Sequence, residues 1–246
     1  MLIVKPFIFK HHPEIECGFS TKVGPNANPP YYFNLSYSVG DRKEIVDINR
    51  KLFFNELDLN ENMVSYQKQV HEENIREVNV SGNCGESDAL ITTSKNLGLA
   101  ISSADCPAVF IYDPVQKIIA AVHSGWRGTE RKIVQKTIIK LKEEFNSNPS
   151  DLICYIGPSI SQKNYEVSEE VAHKFDDEFI LKNGNKFYLD LSGANYKMLI
   201  DEGVKKINIQ GSGLCSFEYE SLLHSYRRDG QKSGRALGVI TIKDNI

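Results

Sequence analysis

The chain has 246 residues, 41% hydrophobic and 25% charged, with a formal charge of −3. That is the make-up of a globular protein long enough for a substantial core, and the acidic balance argues against a general nucleic-acid or membrane-surface binder, which needs a basic excess. No segment approaches the ~20 apolar residues of a membrane helix, MLIVKPFIFKHHPEIE does not read as a signal peptide, and five scattered cysteines without a CxxC pair point to a reducing cytoplasm.

The predicted elements begin with two strands, LIVKPFIF and IECGFST. STKVGPNANPPYYFNLSYSVGD follows, too rich in Gly, Pro and Asn for regular structure. It reads either as a functional loop or as a surface loop with an aromatic plug. A first helix is expected from about Asp41 to Leu57, with Asp41 as N-cap, Glu44 at the capping-box position and an apolar stripe of Ile45, Ile48 and Leu52. Six strand patterns come next: MVSYQ, NIREVN, DALITT, LGLAISS, AVFIYD and KIIAAVHS.

A second helix is expected from about Thr129, as N-cap, to Phe145, with Val134, Ile138, Leu141 and Phe145 on one face. After the strand DLICYIG, a third helix starts near Ser168, where Glu169 and Glu170 suit the positive end of the helix dipole. KFYLDL, a helix from about Gly193 to Glu202, KINIQ and ALGVITIK complete the chain. The pattern is one α+β domain over residues 1–246, two packed sheets with helices outside them.

Three donor residues stand at strand ends: His71 in YQKQVHEEN, Cys106 in SSADCPAVFIYD, and His123 in AAVHSGWRGTE. Two histidines and a thiolate with a fourth position open would suit catalytic zinc, and copper could bind the same set. Their separations match no HExxH or CxxC spacing, so Cys106 with His123 as its base is an equally open, metal-free reading. His11 and His12 lie in a polar turn, His173 lies in a helix, and His224 is ambiguous.

Arg127 follows Trp126 at a helix start, where free N–H groups favour an anion. Arg227 and Arg228 lie in SYRRDG and offer guanidinium forks for phosphate or carboxylate, although Arg228 can instead pair with Asp229 and hold a loop.

NLSYSVGD, QKQVHEENI, SDALIT, ADCPAVFIYDP, AAVHSGWRGT, YIGPSISQKNYEV and SYRRDG occur in the order found in YfiH-type laccase-domain proteins. These are also called polyphenol oxidase-like or multifunctional purine nucleoside phosphorylase proteins. The chain resembles this family from about residue 15 to 242. The resemblance implies a layered α/β/β/α sandwich of two mixed sheets with outer helices. It also implies a metal centre, usually zinc, on His71, Cys106 and His123. The implied activity is phosphorolysis of adenosine, inosine and methylthioadenosine to base and (methylthio)ribose 1-phosphate, with adenosine deamination besides. The partners are therefore purine nucleosides and phosphate, not nucleic acid or membrane. Ser124 replaces the family's usual alanine, and His224 a common aromatic.

Arg127, Arg227 and Arg228 are the expected phosphate holders, with Asn34, Arg50 and Gln69 as further sugar or phosphate contacts. Six histidines without a His-x-His pair are too few for a multicopper oxidase, which needs a mononuclear site and a trinuclear cluster. A copper-dependent phenol oxidase, a Cys–His hydrolase or deamidase (a toxin of similar fold carries such a site) and a non-enzymatic nucleotide or metal sensor stand as alternatives.

Overall fold

The computed structural model describes residues 1–25 and 27–244. Asn26 of the Gly-, Pro- and Asn-rich loop and the last two residues of the expected domain lie outside the described residues. The chain opens with strands β1 (Ile3–Val4) and β2 (Ile15–Ser20), helix α1 (Lys43–Glu56), and strands β3 (Val64–Lys68), β4 (Ile75–Glu77), β5 (Gly82–Glu86) and β6 (Ala89–Thr92). It continues through β7 (Gly98–Ser103), β8 (Ala108–Asp113), β9 (Ile118–His123), helices α2 (Trp126–Glu130) and α3 (Ile133–Phe145), and β10 (Ile153–Ile156). The last part holds β11 (Glu166–Val167), α4 (Glu169–Ala172), β12 (Ile180–Asn183), β13 (Lys186–Leu189), α5 (Leu191–Asp201), β14 (Ile209–Gly211), α6 (Tyr226–Asp229) and β15 (Ala236–Ile242).

Two six-stranded mixed sheets form the body, in the orders β1-β2-β15-β7-β3-β5 and β14-β10-β8-β9-β6-β4, and a three-stranded sheet β11-β13-β12 is added beside them. Strand alternation sorts the side chains into layers. From β8, Ala108, Phe110 and Tyr112 enter the core between the sheets with Phe19, Leu99 and Ile240. Val109 and Ile111 face the other way, into a layer with Val134, Ile138 and Leu141 of α3. On the outer face of the first sheet, Ala100, Leu237 and Val239 pack with Phe53 and Phe54 of α1. The molecule is thus an α+β sandwich with helices outside both sheets. A Cβ at Gly238 would come within 2.6 Å of Phe110 and 2.8 Å of Phe19, so this glycine lets the sheets close on each other.

Several predicted elements shift, each for a local reason. LIVKPFIF is not one strand, because Pro6 cannot donate to a ladder and the chain turns in a short 3-10 helix at Phe7–Phe9. Helix α1 begins at Lys43 under Arg42 rather than Asp41; the Asp41 carboxylate instead accepts from the Arg42 N–H and from Asn34. Its buried face is Val46, Asn49, Arg50, Phe53 and Phe54, while Ile48 of the expected stripe is 45% exposed.

The expected second helix is two: α2 starts three residues before Thr129, and the chain breaks at Lys132 (φ 61°) before α3. The Thr129 hydroxyl binds the Ser124 and Gly125 carbonyls rather than capping a helix. Ser168 caps α4 by accepting the Val171 N–H, and α5 starts under Asp190 and ends before Gly203 (φ 96°). Strand β5, GNCGE, is invisible to composition. Gly82 (φ 96°) and Gly85 (φ 83°) take backbone conformations that other residues avoid.

Candidate metal centre and cleft

The strand register builds the site. Strands β8 and β9 pair antiparallel with Ala108 opposite His123, which sets Cys106, two residues ahead of Ala108, beside the end of β9. Strand β6 pairs with β9 from Ala89 opposite Val122, and the next step is a bond from the His123 N–H to the Asp88 carbonyl, 2.7 Å. His71 arrives from the other sheet. It lies where the chain leaves β3 for β4, and Cys106 where the chain leaves β7 for β8. The three donors therefore meet across the seam between two sheets, not along the edge of one.

One ligand atom from each of His71, Cys106 and His123 lies within 4.8 Å of the other two. The imidazoles meet edge to face, centroids 4.8 Å apart. His123 is buried, Cys106 half-buried and His71 exposed. His71 has φ 61° and Asp105, next to Cys106, has φ 98°, left-handed conformations that cost free energy in residues with a Cβ and cluster at functional sites.

Asp88, fully buried, holds both histidines in place. Its Oδ1 meets His123 Nδ1 at 2.8 Å. Its Oδ2 accepts the N–H groups of Val70 and Glu72, at 3.0 and 2.9 Å, on either side of His71. Burial disfavours the Asp88 carboxylate, but the His123 bond and the two amides outweigh it and hold its pKa below the ordinary value. An ionised Asp88 accepts only, so Nδ1 of His123 carries a proton toward it, and Nε2 is the ring nitrogen left for a metal ion, which would take the place of its proton.

Burial likewise pushes the Cys106 thiol up, yet His123 and His71 together bring it down to about 6. For His123, burial disfavours the cation, but Asp88 and Cys106 raise its pKa to about 9. Two imidazoles and a thiol poised to ionise are a donor set that fits a zinc or copper ion. Gly125 lies hard against the cluster. A Cβ there would stand 3.0 Å from Cys106 Sγ and 3.2 Å from His71 Cδ2.

The cluster lines a cleft of about 760 Å³ that also carries Arg50, Tyr66, Gln69, Tyr226 and Arg235. The loop before α1 does two things. Phe33 is a buried plug, and Leu35 to Ser38 form part of the cleft wall.

Of the residues expected to touch substrate, Arg50 and Gln69 line this cleft. The Gln69 amide is paired with the Ser102 backbone, 2.9 and 2.8 Å, and ties the end of β3 to β7. Asn34 is fully buried behind the cleft and joins Ser36 to the Arg235 N–H. Arg127 is exposed and lies over the Trp126 ring, 4.3 Å from its centroid. Arg227 is exposed and donates to the Glu166 carbonyl.

Arg228 binds the carbonyls of Ser216, Phe217 and Leu223 and both Asp229 oxygens, so its fork holds the loop. His224 lies in the core with Nε2 3.3 Å from the Phe33 carbonyl, and burial pushes its pKa down to about 3. Asp88 and Arg235 were not singled out in the sequence. SDALIT is a motif of the resembling family, but an aspartate before a strand carries no signal of its own.

The two-sheet sandwich with helices outside both sheets matches the architecture of YfiH-type proteins. The chain belongs to the multi-copper polyphenol oxidoreductase laccase family, whose model matches residues 16–243. The crystal structure of the Bacillus licheniformis hypothetical protein YfiH superposes with a TM-score of 0.92 and 29% identity over 98% of this chain and 96% of that one. YlmD from Geobacillus stearothermophilus gives 0.89 and 26% identity over 97% and 94%. Among curated relatives, a purine nucleoside phosphorylase of Clostridium acetobutylicum is 40% identical over 202 residues, 79% of this chain and 81% of its own length. Purine nucleoside phosphorylase YlmD of Bacillus subtilis is 30% identical over 253 residues, 96% and 91% of the two chains.

Proposed function

We propose that this protein is a purine nucleoside phosphorylase working at the His71–Cys106–His123 cluster. It cleaves adenosine, inosine and methylthioadenosine with phosphate to base and (methylthio)ribose 1-phosphate, and deaminates adenosine to inosine as a side activity. The observation that carries the reading is the cleft, which has room for a nucleoside with a phosphate and takes in all three donors of the cluster. The names of the relatives agree with it.

His71, Cys106 and His123 would hold zinc, with copper the other ion this donor set accepts. When bound, the ion supplies Lewis-acid polarisation to a substrate atom set against it. The chain supplies the rest. Asp88 fixes the orientation of His123 and the turn of His71, and Gly125 leaves the approach open. Tyr66 and Gln67 line the cleft, and their Oη and Nε2 atoms are buried behind its surface with no partner among the described residues. Arg127 and Arg227 stand outside the cleft as cations for incoming phosphate.

The test is product formation from inosine by purified protein, with and without phosphate. Phosphate-dependent hypoxanthine and ribose 1-phosphate beyond one equivalent, lost in Cys106→Ala, are expected. No product from a folded, zinc-loaded sample overturns inosine phosphorolysis.

A second reading rests on a specific geometry. Cys106, His123 and Asp88 stand in the order nucleophile, base and orienting carboxylate, as in a cysteine hydrolase. Such an enzyme keeps its activity under chelation and loses it on thiol alkylation, whereas the phosphorylase loses it under both.

A further inference from the structure

Three cations, Arg50, Lys68 and Arg235, line the cleft, and no carboxylate of the described residues does. In a chain of net charge −3 this is a local reversal of sign, and the three cations differ in what they leave free. Lys68 pairs with Glu86 at 2.7 Å. Arg50 lies between the Tyr37 and Tyr66 rings, 4.4 and 4.3 Å from their centroids. Its Nε donates to the Leu35 carbonyl and its Nη1 is 3.8 Å from Glu61.

Arg235 is placed otherwise. The pairing of Ala236 with Ser103 sets it across from Ala104, two residues before Cys106. Its Nη1 donates to the Ser233 and Gly234 carbonyls at 2.8 and 3.0 Å. The guanidinium is 5.2 Å from the Tyr226 ring centroid. Nε and Nη2 have no acceptor among the described residues. The Asp105 carboxylate, which acts on it from a distance, is committed to the Ser216 hydroxyl and the Arg227 N–H, both at 2.6 Å.

Burial lowers the Arg235 pKa from its ordinary value. A partly desolvated guanidinium with two open donors and no ion pair is stabilised when an oxyanion completes it.

We propose that Arg235 is the seat of the attacking phosphate, its Nε and Nη2 each donating to one phosphate oxygen; this rests on the phosphorylase reading above. In the step it serves, an oxygen of hydrogen phosphate forms a bond to C1′ of the ribose as the C1′–N9 bond breaks. The bonding pair leaves on the purine, and the proton of hydrogen phosphate ends on the base, so charge and atoms balance. Arg127 and Arg227 do not line the cleft, which leaves Arg235 as the cation with a free fork beside Cys106.

The test separates the seat from the reaction. Inorganic phosphate is titrated into the full chain without nucleoside and followed by calorimetry or 31P NMR, and KM is measured for phosphate and for inosine. Arg235→Gln is expected to weaken phosphate binding about 30-fold or more, the loss of a charged two-bond contact. It should raise the phosphate KM in step and leave the inosine KM within about twofold, since uniform binding of the nucleoside is untouched. Arg235→Met, which keeps an apolar stem over Tyr226, takes its place with the same expectation if the glutamine variant does not fold.

Unchanged phosphate affinity in a folded variant overturns the seat and leaves the phosphorylase reading standing. A wild type that binds phosphate through Arg235 but releases no base from any purine nucleoside supports the anion seat and overturns the phosphorylase reading.

Discussion

Asp88 has three acceptor bonds to keep, one to a ring and two to amides, and all serve the ligand histidines. Asp88→Asn preserves the shape but replaces one accepting oxygen by a donor, which then faces either an N–H of the same kind or the His123 ring. Loss of a supporting carboxylate of this sort costs about 10- to 100-fold in metal affinity. Competition against a chromophoric chelator reads that loss directly, and an unchanged affinity would show that Asp88 does not support the ligands.

Gly125 makes a second case. Its φ is −66°, ordinary for alanine, so Gly125→Ala should fold and melt close to wild type. Its methyl would press on Cys106 and His71, so metal binding is expected to fall while the melting temperature holds. The three ligand candidates were legible because His and Cys at strand ends are chemically conspicuous. Asp88, Gly125 and Arg235 were not, because their roles exist only once strands from two sheets are brought together.

At the level of elements, most strands of the two main sheets were legible, β5 excepted, and the helix faces less so. Hydrophobic periodicity placed α1 one step out, since Asn49 and Arg50 take buried positions to bind the Asn34 and Leu35 carbonyls. A polar residue doing the work of a core residue is silent in a hydrophobic pattern. The break between α2 and α3 was hidden for a related reason, because a lysine in the left-handed region looks like any helical lysine.

That break carries a prediction. A non-glycine residue there costs about 1 kcal/mol, so Lys132→Gly should raise the urea midpoint by a corresponding amount without changing the slope of the transition. A lower midpoint would show that the Lys132 side chain contributes more than its backbone strain removes.

At the scale of the whole molecule, Glu14 ties the loop before β2 in one sheet to β8 and the β8–β9 turn of the other. It accepts from Tyr112 Oη at 2.5 Å and Lys117 Nζ at 3.1 Å. Burial raises its pKa, but Tyr112, its own N–H and Lys117 more than reverse this and hold it at about 2, below an ordinary 4.5. A folded-state pKa below the unfolded one gives stability that is complete above pH 4.5 and is lost as pH falls toward 2. Glu14→Gln should therefore melt below wild type at neutral pH, with the difference closing through that acid window. A constant difference across the window would show that the charge of Glu14 does not act through this tie.

The sheet crossings at His71 and Cys106 have a mechanical consequence. An ion held by both, and by His123 at the end of β9, would act as a clasp over the line where the layers part. Loading it should slow amide exchange at the ends of β3 and β7 together, and leave α1, on the far face of its sheet, exchanging as before. The same atoms that present a reactive centre to the cleft would then set how readily the sandwich opens.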